Sequence, residues 1–424
     1  MLDIRVLREQ LPTLRDALAR RGALESLAPT LQRAEQLERD RRTLIQATEE
    51  RKAARNASSQ EVAQRKKRGE DATDLIARGR DLGAEIAKLE GELAAVENEL
   101  HGIVLVIPNP TLPDVPAGGE DHNKVVKEWG TPRREAGLKP HWELAVSAGI
   151  LDLERGVKIS GSGFVVYRGM GARLARSLLM FFMDTHAREH GYEEVWPPDL
   201  VNRESMTGTG QLPKFEDDAY GTRGDVLFLI PTAEVPVTNL YRDEILDADA
   251  LPKAFVAYSK CFRREAGSAG KDTRGVLRTH EFDKVELVRY ALPENSAADL
   301  EKLTAHAESM LERLGLPYRR KLLAAGDTGF SSAMTYDLEC WAPGVGAWLE
   351  VSSCSNFTDF QARRANIRVR GAKGDKPRFV HTLNGSGLAF PRTIACILEH
   401  YQRPDGSIEA PAALRTYLGT DRIA

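Results

Sequence analysis

Cysteine is scarce in this chain, and the features that would carry it into or across a membrane are missing. Four cysteines in 424 residues, Cys261, Cys340, Cys354 and Cys396, stand far apart without a CxxC pair. That spacing weighs against a disulfide framework and against a structural zinc site, so no zinc is expected. No apolar run reaches 18 residues, and the first segment, "MLDIRVLREQLPTLRDALARRG", carries a charge every few residues where a signal peptide would be apolar. The expectation is a cytoplasmic protein with no membrane partner. The two commonest phosphate-binding fingerprints, GxxxxGK[ST] and a GxGxxG after a strand, are absent. A formal net charge of −3 with 29% charged residues argues against a uniformly basic coat. Any polyanionic partner is then met by local patches.

One long region also lacks proline and nearly all aromatic side chains. After Pro29 the next proline is Pro108, and the interval is crowded with Glu, Lys, Arg, Ala and Leu, a long-helix composition. Leu75, Leu82, Ile86, Leu89, Leu93, Val96 and Leu100 are spaced 7, 4, 3, 4, 3 and 4, which is a heptad seam. Leu24, Leu27, Leu31, Ala34, Leu37 and Leu44 answer it in the first half. Between them "RKKRGED" supplies a basic helix end, a glycine and an acidic restart. The pattern predicts an antiparallel hairpin of two helices over about residues 28–102. A helix of about 35 residues is roughly 50 Å long, more than a compact domain needs, so it either reaches a partner or serves as a dimerising coil or spacer.

The prolines and glycines of "IVLVIPNPTLPDVPAGGED" end this region. An amphipathic helix is expected around "ARLARSLLMFFMDTHAREH". The runs "VLFLIPTAE", "KAFVAYSKCFRRE", "FDKVELVRY", "TYDLECWAPG" and "AWLEVSSCSN" read as short strands separated by turns. The fold class is α+β, a largely antiparallel sheet with helices against it. If "FRRE" and "HEFDKVE" face each other across a hairpin, Arg263 and Glu265 share one face, as do His280 and Phe282. A forked guanidinium suits phosphate or carboxylate, a Glu accepts from an exocyclic amine, and a Phe stacks on a purine. A surface hairpin laced with salt bridges is the other reading of this stretch.

"FRRE" with "RTHEF" resembles motif 2 of the class II aminoacyl-tRNA synthetases, "GSGLAFPRTIACILEHY" their motif 3, and "GYEEVWPP", with Pro197, their motif 1. "PTAE", "REAGSAGKDTRG", "SSCSNFTDFQARR" and "HTLNGSGLA" together resemble the seryl-tRNA synthetases, as does the order of parts. The resemblance covers nearly the whole chain. It implies a helical tRNA-binding arm over residues 1–105 and a class II catalytic domain over 106–424.

The implied activity is L-serine plus ATP giving seryl-adenylate and pyrophosphate, then transfer of the seryl group to the 3′ end of serine tRNA. In the family, selenocysteine tRNA is also served where present. Implied partners are ATP, L-serine, the long variable arm of serine tRNA and a second copy of the chain joined through motif 1. The resemblance places catalysis on Arg263 and Arg392 and serine on Thr232, Ala233, Glu234, Arg263, Glu286, Asn384 and Ser386. It places ATP on Arg263, Arg264, Glu265, Thr279, His280, Glu281, Phe282, Glu350, Val351, Ser352, Ser353 and Arg392. Mg2+ falls to Glu350 and Ser353, in line with its preference for hard oxygen ligands. The tRNA contacts fall to Arg51, Lys52, Arg55, Arg65, Lys66, Lys67 and Arg68. Three positions depart from the pattern: Glu281 where relatives carry Gln, Leu349 where an Arg is common, and Phe390-Pro391 before the motif 3 helix. The loop "AGSAGKDTRG" is expected to order over ATP and the tRNA acceptor end. Two other readings are a homologue loading a carrier protein, which would lack the arm, and an inactive coiled-coil protein, which would not retain Arg263, Glu265, Glu350, Ser353 and Arg392.

Overall fold

The heptad leucines build what their spacing predicts. In the computed structural model, which describes residues 1–224, 226–266, 274–371 and 374–424, a short helix α1 (Leu11–Arg20) precedes α2 (Leu24–Lys67) and α3 (Thr73–Val104). α2 and α3 pair as an antiparallel hairpin. Leu31, Ala34, Leu37, Leu82, Ile86 and Leu100 are buried between them, with salt bridges Arg33–Glu99, Arg41–Glu97 and Arg51–Glu85 alongside. α2 starts four residues before the expected boundary and contains Pro29, near its N-terminal end, where only one early hydrogen bond is lost. Gly69, with φ +74°, ends it: the Glu70 amide donates to the Arg65 carbonyl at 2.9 Å and the Gly69 amide to Lys66 at 3.1 Å, a Schellman closure. Asp71, just before α3, then accepts from the Thr73 amide at 3.0 Å, an Asx turn that leads into the helix. Near its base Leu7, Leu14 and Leu18 pack on Leu31, Leu100 and Val104.

The chain forms two compact units, Met1–Ala19 with Ala23–Pro108, and Arg20–Gly22 with Asn109–Ala424. The second is organised on an eight-stranded sheet: β1 (Lys124–Trp129), β2 (Glu193–Val195), β3 (Lys253–Phe262), β4 (Glu281–Ala291), β5 (Tyr318–Leu322), β6 (Met334–Ala342), β7 (Ala347–Asn356) and β8 (His381–Ala389). Their order is β1-β5-β6-β7-β8-β4-β3-β2. Every pairing is antiparallel except β2 with β3. This is the antiparallel sheet flanked by helices that the sequence predicts. The "VLFLIPTAE" run differs: only Phe228–Leu229 is a strand, in a separate small sheet, because Pro231 cannot continue a ladder.

Alternation along β4 fixes the architecture. Val285 and Leu287 enter a large apolar cluster with Leu178 and Phe182 of α4 (Met170–Arg188) and Leu300 and Leu303 of α5 (Ser296–Arg313). On the opposite face Val288 and Tyr290 join a second cluster with Ala233 and Ala257. Further along that opposite face stand Phe282, Lys284 and Glu286, which belong to neither apolar cluster. They border a cavity.

Candidate active site

The cavity holds about 800 Å³, the size of a small-ligand pocket. Thr232, Glu234, Arg263, Glu265, Thr279, Phe282, Glu286, Glu350, Val351, Ser353, Asn384, Ser386 and Arg392 all line it. Ala233, Arg264, His280, Glu281 and Ser352 do not. Ala233 is buried in the second apolar cluster. The Arg264 amide bonds the Asp218 carbonyl at 3.0 Å. His280 Nδ1 and the Tyr220 hydroxyl lie 2.9 Å apart, Glu281 pairs with Lys260 at 2.9 Å, and Ser352 Oγ donates to the Ser386 carbonyl at 2.7 Å.

One geometric expectation is corrected. Arg263 and Glu265 do not share a strand face, because β3 ends at Phe262 and Glu265 takes φ +52°. Glu265 enters the cavity from a left-handed turn and is held by Arg278 at 2.5 Å. The Arg263 amide still pairs with the His280 carbonyl at 2.9 Å, and its guanidinium lies over the Phe282 ring, 5.2 Å from the centroid. Of the "AGSAGKDTRG" loop, residues 267–273 lie outside the described residues.

Two bulges aim side chains inward. On β7 the register steps from Leu338↔Ser352 to Glu339↔Glu350, leaving Val351 unpaired, so Glu350 and Ser353 both border the cavity. On β8 it steps from Glu286↔Ser386 to Lys284↔Ala389, and Leu388 within the step adopts φ +119°. Immediately after, helix α6 (Phe390–Tyr401) begins with Pro391 in its first turn, where a missing N–H costs nothing. Phe390 packs on Phe182. The departure at Phe390-Pro391 is thus a helix start, and Arg392 follows it to reach Glu350 at 3.3 Å.

At one end the cavity is a dense polar cluster. Lys284, buried, donates to Thr232 Oγ1 at 3.0 Å and ion-pairs with Glu286. Asn384 Nδ2 donates to the other Glu286 oxygen at 3.0 Å. Gln361 Nε2 donates to Glu234 Oε1 at 2.6 Å and is itself oriented by Thr382. Burial first, then Glu286 nearby, pushes the Glu234 carboxyl up to about 7. Lys284 and Gln361 were not singled out in the sequence. The alternation Phe282, Lys284, Glu286 could have found the first. Nothing local marks the second, which meets Glu234 across 127 residues.

At the other end Asp337 lies opposite Ser353 on the neighbouring strand. Burial, then Glu350, raises its carboxyl well above the usual range, and its Oδ1 has no hydrogen-bond partner among the described residues. Two neighbouring carboxyl groups, one with an unpartnered oxygen, beside a polar cavity fit a hard divalent cation shared with a phosphate ligand. Among the described residues no group of three His, Cys, Asp or Glu is placed to hold a metal without such help.

Residues 1–111 match the family model for the seryl-tRNA synthetase N-terminal domain, and residues 214–401 that for the class II tRNA synthetase core domain (G, H, P, S and T). The chain is 63% identical to the serine–tRNA ligase of Gemmatimonas aurantiaca, with 100% of both chains covered. The chain belongs to the seryl-tRNA synthetase family. The serine–tRNA ligase of Geobacillus kaustophilus is 54% identical over 99% of each chain. Among solved structures, the seryl-tRNA synthetase of Pyrococcus horikoshii complexed with ATP superposes with a TM-score of 0.95, at 36% identity over 100% of this chain and 99% of that one. The cytoplasmic enzyme of Naegleria fowleri in complex with AMP gives 0.89 at 27% identity, covering 100% and 98%. In this family the helical hairpin and the antiparallel sheet belong to one enzyme. No helix of the described residues is long and apolar enough to cross a membrane.

Proposed function

We infer that this cavity activates L-serine with ATP and that the chain catalyses the ligation of serine to tRNA. The observation that carries the reading is the convergence of Arg263, Phe282, Glu286, Glu350 and Arg392, drawn from four separate segments, on one cavity. The serine carboxylate, ionised at neutral pH, attacks the α-phosphorus of ATP as the bond to pyrophosphate breaks. The 3′-terminal ribose hydroxyl of tRNA then attacks the adenylate carbonyl and AMP leaves. Neither step needs a protein nucleophile; the site supplies alignment and charge neutralisation.

Arg263 bridges the serine carboxylate and the α-phosphate. Adenine stacks on Phe282 with Arg392 on its other face, and Glu265 accepts from its amino group. The Arg392–Glu350 and Glu265–Arg278 pairs keep these groups compensated before ATP enters. Glu350 and Ser353, backed by Asp337, would hold Mg2+, which when bound would neutralise charge on the phosphate oxygens. At the polar end Glu234 and Thr232 receive the ammonium group. Glu286, fixed on one oxygen by Lys284 and on the other by Asn384, takes the substrate hydroxyl with Ser386 beside it. A site built around a hydroxyl leaves buried groups unpaired when alanine enters, which discriminates by about 10⁴ to 10⁵.

The basic residues at the tip of the α2–α3 hairpin take the long variable arm of serine tRNA, and two copies pair through motif 1. In support of that pairing, Trp196 beside Pro197 is 71% exposed. A cytoplasmic location goes with this reading. The test is ATP–pyrophosphate exchange with each amino acid in turn. Serine alone should support it, and equal exchange with alanine, or none with serine, would overturn the assignment.

A further inference from the structure

Behind the ATP half of the cavity lies a pair of side chains that touches no proposed substrate. His141 and Glu399 are both fully buried. Glu399 stands on α6, two turns beyond Arg392. Its Oε1 accepts from the His141 backbone amide at 2.9 Å and from His141 Nδ1 at 2.8 Å. Its Oε2 accepts from the amides of Gly344 and Val345 at 2.7 and 3.0 Å, in the turn that leads into β7 and hence to Glu350. A carboxylate on Nδ1 keeps the proton there and leaves Nε2 as an acceptor. Nε2 is used: the Val276 amide donates to it at 3.3 Å.

Val276 opens the return segment of the motif 2 hairpin. Next to it, the Leu277 carbonyl accepts from Arg392 Nε at 3.3 Å, and Arg278 holds Glu265. Then come Thr279, which lines the cavity, and His280, whose carbonyl holds the Arg263 amide. The approach is close. Gly275 has φ +67°, and a Cβ there would stand 2.3 Å from His141 Nε2. The hydrogen bonds of Glu286, Asn384 and Ser386 do not enter this network.

We propose that His141, oriented by Glu399, is a positioning residue for ATP: its Nε2 fixes the Val276 amide and so sets the segment that places Arg392 and Glu265. The assignment of these two residues to ATP rests on the function proposed above. Loss of the acceptor lets the segment shift. The ATP site loosens while the serine site keeps its own bonds.

The experiment compares His141→Asn with His141→Gln in the full chain, by serine-dependent pyrophosphate exchange. Asn keeps a donor near the place of Nδ1 but has no atom at that of Nε2, whereas Gln puts a carbonyl oxygen there. KM for ATP should rise about two- to tenfold in His141→Asn, the span for one hydrogen bond net of solvation. KM for serine should stay within twofold of wild type, and His141→Gln should recover most of the loss. Hydrogen exchange in the peptide 274–278 should quicken in the Asn variant and not in the Gln variant. A purely structural role would lower the folded fraction, and with it the apparent kcat, leaving both KM values alone. That result, or equal impairment by Gln and Asn, overturns the proposal. If His141→Asn does not fold, Gly275→Ala strikes the same contact from the other side, and an unchanged KM for ATP there would refute it equally. Failure of the wild type to exchange with serine would instead strike the functional reading.

Discussion

Glu286 and Glu234 sit within one polar cluster, yet their surroundings give them different work. Glu286 has a buried cation on one oxygen and an amide on the other, an arrangement that keeps it aimed. Glu286→Ala should therefore lower the serine-to-alanine ratio of kcat/KM by at least about tenfold, since the discriminating acceptor is gone. An unchanged ratio would place hydroxyl recognition elsewhere. Glu234 has an amide donor but no direct cation, and its carboxyl sits at about 7, so in the free enzyme it is neutral below that pH and charged above it. An ammonium ligand needs the carboxylate. KM for serine should accordingly rise as pH falls from 8 to 6, by up to about one log unit per pH unit once below 7. Glu286, Lys284 and Arg263 are the charged groups that face it. Glu234→Gln should flatten this profile, and a wild-type KM independent of pH over that range would remove Glu234 from the ammonium.

The two long helices show how differently seven similar cations can be placed. Arg51 and Lys52 pair across the hairpin with Glu85 and Glu90, while Arg65 pairs with Glu61 and Asp74, and Arg68 with Glu61 and Glu70. Arg55, Lys66 and Lys67 are exposed and make no ion pair among the described residues. Engaging a phosphate costs these three no existing partner. Alanine at Lys66 and Lys67 should reduce the slope of log affinity for serine tRNA against log salt by up to about one unit per residue. Pyrophosphate exchange should be unaffected. A slope equal to wild type would move the contact to other residues of the hairpin.

At the scale of the molecule, the proposed function assigns activation and tRNA capture to different parts of the chain. Every residue proposed to contact serine or ATP lies after position 230, whereas α2 alone, at 44 residues, is about 66 Å long. Replacing residues 28–102 with a short linker should leave exchange within severalfold of wild type and reduce charging of serine tRNA by orders of magnitude. Recognition by shape and backbone is the mode expected for a structured RNA limb, and it is lost with the surface that follows it. If the shortened chain charged tRNA as efficiently as the full one, the hairpin would be a spacer or a dimerising coil.

Local repetition made most of the architecture legible. The leucines from Leu75 to Leu100 recur with the helix period whatever surrounds them, and within β4 Val285, Glu286 and Leu287 alternate apolar and polar with the strand period, so the helical hairpin and the antiparallel sheet follow from the chain alone. Arg263, Glu265, Phe282 and Arg392 could be picked out because their motifs are short and ordered. Tertiary structure decided where regularity breaks. The β7 bulge turns Glu350 and Ser353 to the same cavity, Glu265 leaves the strand through a positive φ, and the "LIPTAE" run stops at a proline. It also decided the partners. Lys284 joins Thr232 to Glu286, Gln361 crosses to Glu234, and His141 meets Glu399 across 258 residues. A buried polar atom must find its complement in three dimensions, and no periodicity along the chain records which one it finds.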